Sequence, residues 1–267
     1  MGFFIKGKME REEPQKTHAP HGGVLAVWGS PGSGKTTVSV KLAQYLTSKG
    51  NNCILIFADM TTPSLAYICR PDDLIEEKSL GSILAAAHVT DELVKRNCSF
   101  HKNNKYLSMV GMLKGENRFT YPPYEQEQAK ELLIAAEELA PFVIIDCSSH
   151  ISTNLITGNA LMMADSVIRL CGCDLKAVSY FNSQLPLLSD THKFDADRHI
   201  CVASNVLPNQ AAREIEKSMG SIRCQIPHSL EIETQFLEGD MLKDYEFKES
   251  RAFRKAIEAV SKEVFGI

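Results

Sequence analysis

The run Gly29-Ser-Pro-Gly-Ser-Gly-Lys-Thr36 carries the residue types that hold a polyphosphate. Glycines let successive backbone N–H groups converge on phosphate oxygens, and a helix that starts where the run ends adds partial positive charge. Gly29, Ser30, Pro31, Gly32, Ser33 and Gly34 form the cradle. Lys35 is spaced to reach the β- and γ-phosphates, the Thr36 hydroxyl to ligate Mg²⁺, and the Thr37 hydroxyl to meet the α-phosphate. A ligand-free glycine turn can match the same spacing. The context argues against it, because an apolar run (24–28, VLAVW) precedes the loop and helical periodicity follows it.

Two acids stand where such a loop needs them. Asp146 ends the apolar run FVIID, so a strand delivers its carboxylate to the sheet edge where a metal-directing acid belongs. The alternative is a cap on the next helix. Asp59 likewise follows a strand, CILIFA (53–58). It is placed to orient water or to reach Mg²⁺ through water, and equally to close a turn. Both alternatives stay open on the sequence.

The positioning elements alternate. Strands are expected at 24–28, 53–58, 106–113, 142–146, 166–172, 199–206 and 221–226. Helices are expected at 35–49, 125–139, 153–163, 174–187, 209–219, 229–238 and 248–265, with mixed helix over 64–97. Apolar strands alternating with helices predict an α/β domain with a mostly parallel twisted sheet covered on both faces. Residues 1–22 read as a flexible polar leader, and 23–267 as a single P-loop domain.

Composition sets outer bounds. With 44% apolar and 23% charged residues, the chain can bury a large core. A net charge of −4 gives no overall drive towards DNA or acidic membranes. The eight cysteines show no CxxC pair, which fits a reducing, cytoplasmic setting. The stretch Tyr121-Pro-Pro-Tyr124 reads either as a partner-docking loop or as a rigid lead into the next helix. His150 reads as a partner contact or a plain exposed loop residue.

With the loop near the start, Asp59 after the second strand and Asp146 after the fourth, the chain resembles the ParA/MinD family of ATPases across about residues 23–265. The branches it resembles position chromosomes, plasmids or envelope machinery, the TadZ/CpaE-like members included. Further matches are Ala164-Asp165-Ser-Val-Ile, Val202-Ala-Ser-Asn205, and Ile226-Pro227-His-Ser-Leu-Glu. The resemblance implies ATP/ADP and Mg²⁺ as ligands, with Thr36, Asp59 and Asp146 at the metal. It makes Lys35, Asp59 and Asp146 the catalytic set, with Asp59 in switch I and Asp146 opening switch II. It puts Asn205 and the backbone near Pro227 beside adenine, and it implies a nucleotide-dependent homodimer and a protein partner. No Asn-Lys-x-Asp guanine signature occurs, so ATP is expected over GTP. The family's loop opens Gly-Lys-Gly-Gly, and that early lysine reaches the partner's phosphates across a dimer. Ser30 stands there instead, so turnover is expected to be slow. A small-molecule phosphotransferase and a hydrolysis-deficient nucleotide-binding scaffold are the competing expectations.

Overall fold

Strands that are apolar on both faces must be covered on both sides, and the chain folds accordingly. The computed structural model describes residues 22–75, 78–189, 195–208, 210 and 212–267. The expected leader therefore lies outside the described residues, apart from Gly22.

In order, the elements are β1 (Gly23–Gly29), α1 (Lys35–Ser48), β2 (Cys53–Phe57), α2 (Leu65–Ile68), β3 (Leu74–Ile75), α3 (Leu80–Leu84), α4 (Asp91–Arg96), β4 (Ser99–His101) and β5 (Asn104–Val110). Then come α5 (Gln126–Leu139), β6 (Phe142–Asp146), α6 (Leu155–Met163), β7 (Ser166–Gly172), α7 (Leu175–Ser189) and β8 (His199–Val206). Finally α8 (Ala212–Met219), β9 (Ile222–Pro227), α9 (Leu230–Leu237) and α10 (Arg251–Phe265) complete the chain. One sheet has the order β3-β4-β5-β2-β6-β1-β7-β8-β9. It is parallel from β5 through β9, while β3, β4 and β5 pair antiparallel.

That antiparallel edge corrects the expectation of mixed helix over 64–97. Leu74–Ile75 is a short strand inside that span, and Ser99–His101 turns tightly into β5. Both strands are too short to show a periodicity of their own.

Alternation within β1 splits the core in two. Val24, Ala26 and Trp28 face the side covered by α3 to α8, and Leu25 and Val27 the side covered by α1, α9 and α10. On α10, Phe253, Ile257, Val260 and Phe265 are buried, so this amphipathic helix spends its apolar face on the sheet. Among the described residues, no helix is long and apolar enough to cross a membrane.

Register matters most for function. Asp146 is level with Val27 of β1 on one side and Phe57 of β2 on the other. Each buried Ile or Leu of these strands contributes about 1.5–3 kcal/mol, so their tips hang from a rigid frame. The loops after β1, β2 and β6 emerge together at the carboxyl edge, where open α/β sheets bind ligands.

Candidate functional site

The loop between β1 and α1 is built around glycine. Gly32 and Gly34 have φ of 78° and 82°, the left-handed region that a Cβ resists. Gly34 is also the N-cap of α1, so no side chain caps this helix, and no acid stands in its first turn. Its positive end is left for an anion. Ser33 adds a buried hydroxyl that has no hydrogen-bond partner among the described residues. An orphaned donor inside a glycine cradle fits a phosphate oxygen.

Lys35 lies across this cradle. Its Nζ donates to Gly29 O and Ser30 O at 3.3 Å and to Ser149 Oγ at 2.6 Å. Ser149 Oγ in turn donates to Gly29 O at 3.0 Å. Burial lowers the Lys35 pKa, and the nearby Asp146 carboxylate opposes that shift.

Asp146 is buried at the tip of β6. Thr36 Oγ1 donates to its Oδ2 at 2.6 Å and Ser39 Oγ to its Oδ1 at 3.4 Å. Burial pushes its pKa up to about 6, against the pull of Thr36 and Lys35. A buried carboxylate beside a threonine hydroxyl at the cradle's mouth fits a hard cation that takes oxygen ligands. The cap of α6 is Asn154, not Asp146.

Asp59 is nearby but differently engaged. Its Oδ1 accepts from the backbone N–H of Thr61 at 2.7 Å and of Thr62 at 3.2 Å, which closes a turn. Among the described residues it makes no hydrogen bond to Thr36 or Asp146. The start of this loop is tied to the segment between β6 and α6 separately, by Asn154 Nδ2 donating to Ala58 O at 2.6 Å.

From the loop a cleft of about 410 Å³ runs past Thr37 to Ser204, Asn205, Pro227 and His228. Asn205 adopts φ 55°, a left-handed conformation that Asn tolerates better than most residues. Its Oδ1 lies 2.7 Å from His228 Nδ1, which leaves the amide N–H donors of Asn205 for another acceptor. Gly29, Ser30, Pro31 and Ser33 do not line this cleft.

A family model described as AAA domain matches residues 27–192. The chain belongs to this AAA domain family. The fold is shared with a ParA family ATPase from Chlorobium tepidum at TM-score 0.73 and 15% identity, over 91% of this chain and 98% of that one. It is shared also with the cell division ATPase MinD of Pyrococcus furiosus (TM-score 0.68, 17% identity, 91% and 99% covered). A variant of Cyanothece McdA in complex with ATP gives 0.65 and 18%, over 93% and 98%. No curated protein sequence matches the chain. Its fold is thus that of the ParA/MinD ATPases, with a single mostly parallel α/β domain.

Within this AAA domain chain, Ser30 is buried at 3% exposure, and its carbonyl accepts from Ser33 N as well as from Lys35. Asp165, one of the matched motif acids, caps the start of β1 by accepting from Val24 N at 2.8 Å, at the sheet edge away from the cradle.

Several site residues escaped sequence reasoning. Ser149 and Ser39 are ordinary serines until the fold brings them to Lys35 and Asp146. Tyr180, on α7, donates to Ser149 O at 2.6 Å, a contact between residues 31 apart that no local pattern signals. Tyr67 and Phe236 line the cleft together, with ring centroids 5.6 Å apart. His228 left a trace, as the residue after Pro227.

Proposed function

We propose that the chain binds ATP with Mg²⁺ and turns the state of the phosphates into positions of the 59–62 and 147–150 loops. It would act as a nucleotide-dependent positioning or regulatory switch with slow turnover. The observation that carries this reading is the triangle of Lys35, Ser149 and Gly29. Lys35 spends its protons on Gly29, Ser30 and Ser149, and can exchange Ser149 for a phosphate oxygen. That exchange releases the loop after Asp146, so the nucleotide state is read by a segment outside the cradle. Solved relatives with this fold include MinD with Mg-ADP and McdA with ATP, which supports the ligand class.

Thr36 and Asp146 would hold Mg²⁺, and Asp59 would act through water. The ion would neutralise charge on the phosphates as the terminal group departs. Asn205 and His228 would meet the base. Ser30 brings no cation to the phosphates, which supports slow hydrolysis rather than efficient turnover.

A phosphotransferase would bring arginines over the cleft. Between 60 and 125, Arg70 pairs with Asp240 and Arg96 with Glu92, while Arg118 lies over Phe119. None of the three lines the nucleotide cleft, which favours the switch.

Hydrogen exchange with and without a slowly hydrolysed ATP analogue tests the reading. Exchange over 147–150 should change in the wild type and respond much less in Ser149→Ala. Tight binding with no change in that segment would remove the switch and leave only a nucleotide-binding scaffold.

A further inference from the structure

A second cavity, of about 990 Å³, is lined from the loops after β2 and β6 and shares no lining residue with the nucleotide cleft. Its apolar wall is Met60, Leu84, Met112, Tyr121, Tyr124 and Leu155. Among the described residues no Asp or Glu lines it, although the chain as a whole carries −4. Arg118 and His150 do line it, both exposed. Arg118 makes no ion pair among the described residues, and its guanidinium sits 4.7 Å from the centre of the exposed Phe119 ring.

The rim is preorganised. Asn117 N donates to Thr120 Oγ1 and Phe119 N to Asn117 Oδ1, both at 2.9 Å, which locks the turn bearing Arg118. Tyr121 OH donates to Glu116 Oε1 at 2.7 Å, while Glu116 Oε2 accepts from Leu113 N at 2.7 Å and Ser79 Oγ at 2.6 Å. The carboxylate behind the rim is therefore already engaged. The Tyr121 ring lies flat on Gly81, where a Cβ would meet it at 2.0 Å. Any larger residue there would evict the ring. A rim held in place binds at a smaller entropic cost than a loose loop.

We propose that this cavity docks a segment of a partner protein that presents a carboxylate beside a bulky apolar side chain. Charge decides the choice: the wall offers the Arg118 guanidinium and no acid, so an acidic segment is attracted and a basic one gains nothing. Residue type decides the class of partner. Tyrosines, a phenylalanine and an arginine stacked on its ring are the residue types that interfaces use as anchors. The site is also wired to the nucleotide. Ser148 and His150 line it on either side of Ser149, which is bonded to Lys35, and Met60 and Thr61 follow Asp59. This coupling rests on the proposed nucleotide function, whereas the docking does not.

Panning a random peptide library against the full chain tests the docking. Wild type should enrich peptides with Asp or Glu next to Trp, Phe or Leu. Arg118→Glu should lose these and select basic peptides instead. The best synthetic peptide should bind Arg118→Glu about tenfold or more weaker, and Phe119→Ala clearly weaker. Both variants should keep the wild-type affinity for a fluorescent ATP analogue. The docking is overturned by no enrichment, by peptides without acids, or by equal affinity for Arg118→Glu. Sedimentation showing an analogue-induced dimer that Arg118→Glu abolishes would seat a second copy there and overturn the partner. For the coupling, saturating analogue with Mg²⁺ should shift peptide affinity about fivefold or more. An unshifted affinity removes the coupling alone, and failure to bind ATP refutes the nucleotide reading while the peptide result stands.

Discussion

Proton release at Asp146 offers a sharp test of the metal site. Burial pushes this carboxyl up to about 6, and a carboxylate must be ionised to hold a cation. It follows that the group is about half protonated at pH 6, about a tenth at pH 7 and about a hundredth at pH 8. Loading Mg²⁺ with nucleotide should then release about half a proton at pH 6 and almost none at pH 8. Below pH 6, affinity should weaken by up to about tenfold, or about 1.4 kcal/mol, per pH unit. Titration calorimetry in buffers of different ionisation enthalpy measures the proton count. The terminal phosphate titrates in the same range, so the informative quantity is wild type minus Asp146→Asn. Nucleotide without metal should give the opposite sign. Phosphate charge beside Asp146 raises its pKa further, so protons are taken up rather than released. Equal proton counts for wild type and Asp146→Asn at pH 6 with Mg²⁺ would refute the assignment.

Other expectations follow from single contacts. Lys35→Ala should weaken ATP–Mg²⁺ binding by about 2–5 kcal/mol, since it deletes a half-buried cation aimed at the cradle, and a fluorescence titration reads this directly; near-wild-type affinity would sink the phosphate-loop assignment. Asp59→Asn keeps an acceptor for the turn at Thr61 and Thr62 but loses the charge, so it should retain nucleotide and slow turnover; unchanged turnover would leave Asp59 as a turn residue only. Lys41 is buried against Gln44, Gln235 and Lys243 O, and burial lowers its pKa to about 7. The unfolded chain binds a proton that the folded chain rejects between about pH 7 and 10.5, so stability should rise over that window by a few kcal/mol. Urea melts of wild type and Lys41→Met should show that rise only in wild type. Ser30→Lys should cost stability by about 1–3 kcal/mol, because residue 30 is buried in the loop; a mild effect on melting would mean the loop opens freely at that point.

The sequence by itself determined the glycine-rich loop between β1 and α1, the acid at the tip of β6 and most of the succession of strands and helices. Those signals are local. Glycines at fixed offsets, an apolar run ending in Asp146 and a helical period all act within one element or its neighbour, so they survive without knowledge of the fold. The role of α10 was legible for the same reason, because Phe253, Ile257 and Val260 mark one face at helical spacing. What only the tertiary structure decided is which groups meet at the sheet edge. Ser149 reaches Lys35 because β6 lies beside β1 in a fixed register, and Tyr180 reaches Ser149 because α7 packs across Trp28. The antiparallel edge was hidden because strands of two and three residues draw their stability from neighbours rather than from their own pattern. The second cavity was invisible for a related reason. Its acid-free wall is assembled from segments between residues 60 and 155 whose side chains share a surface only after the sheet has formed.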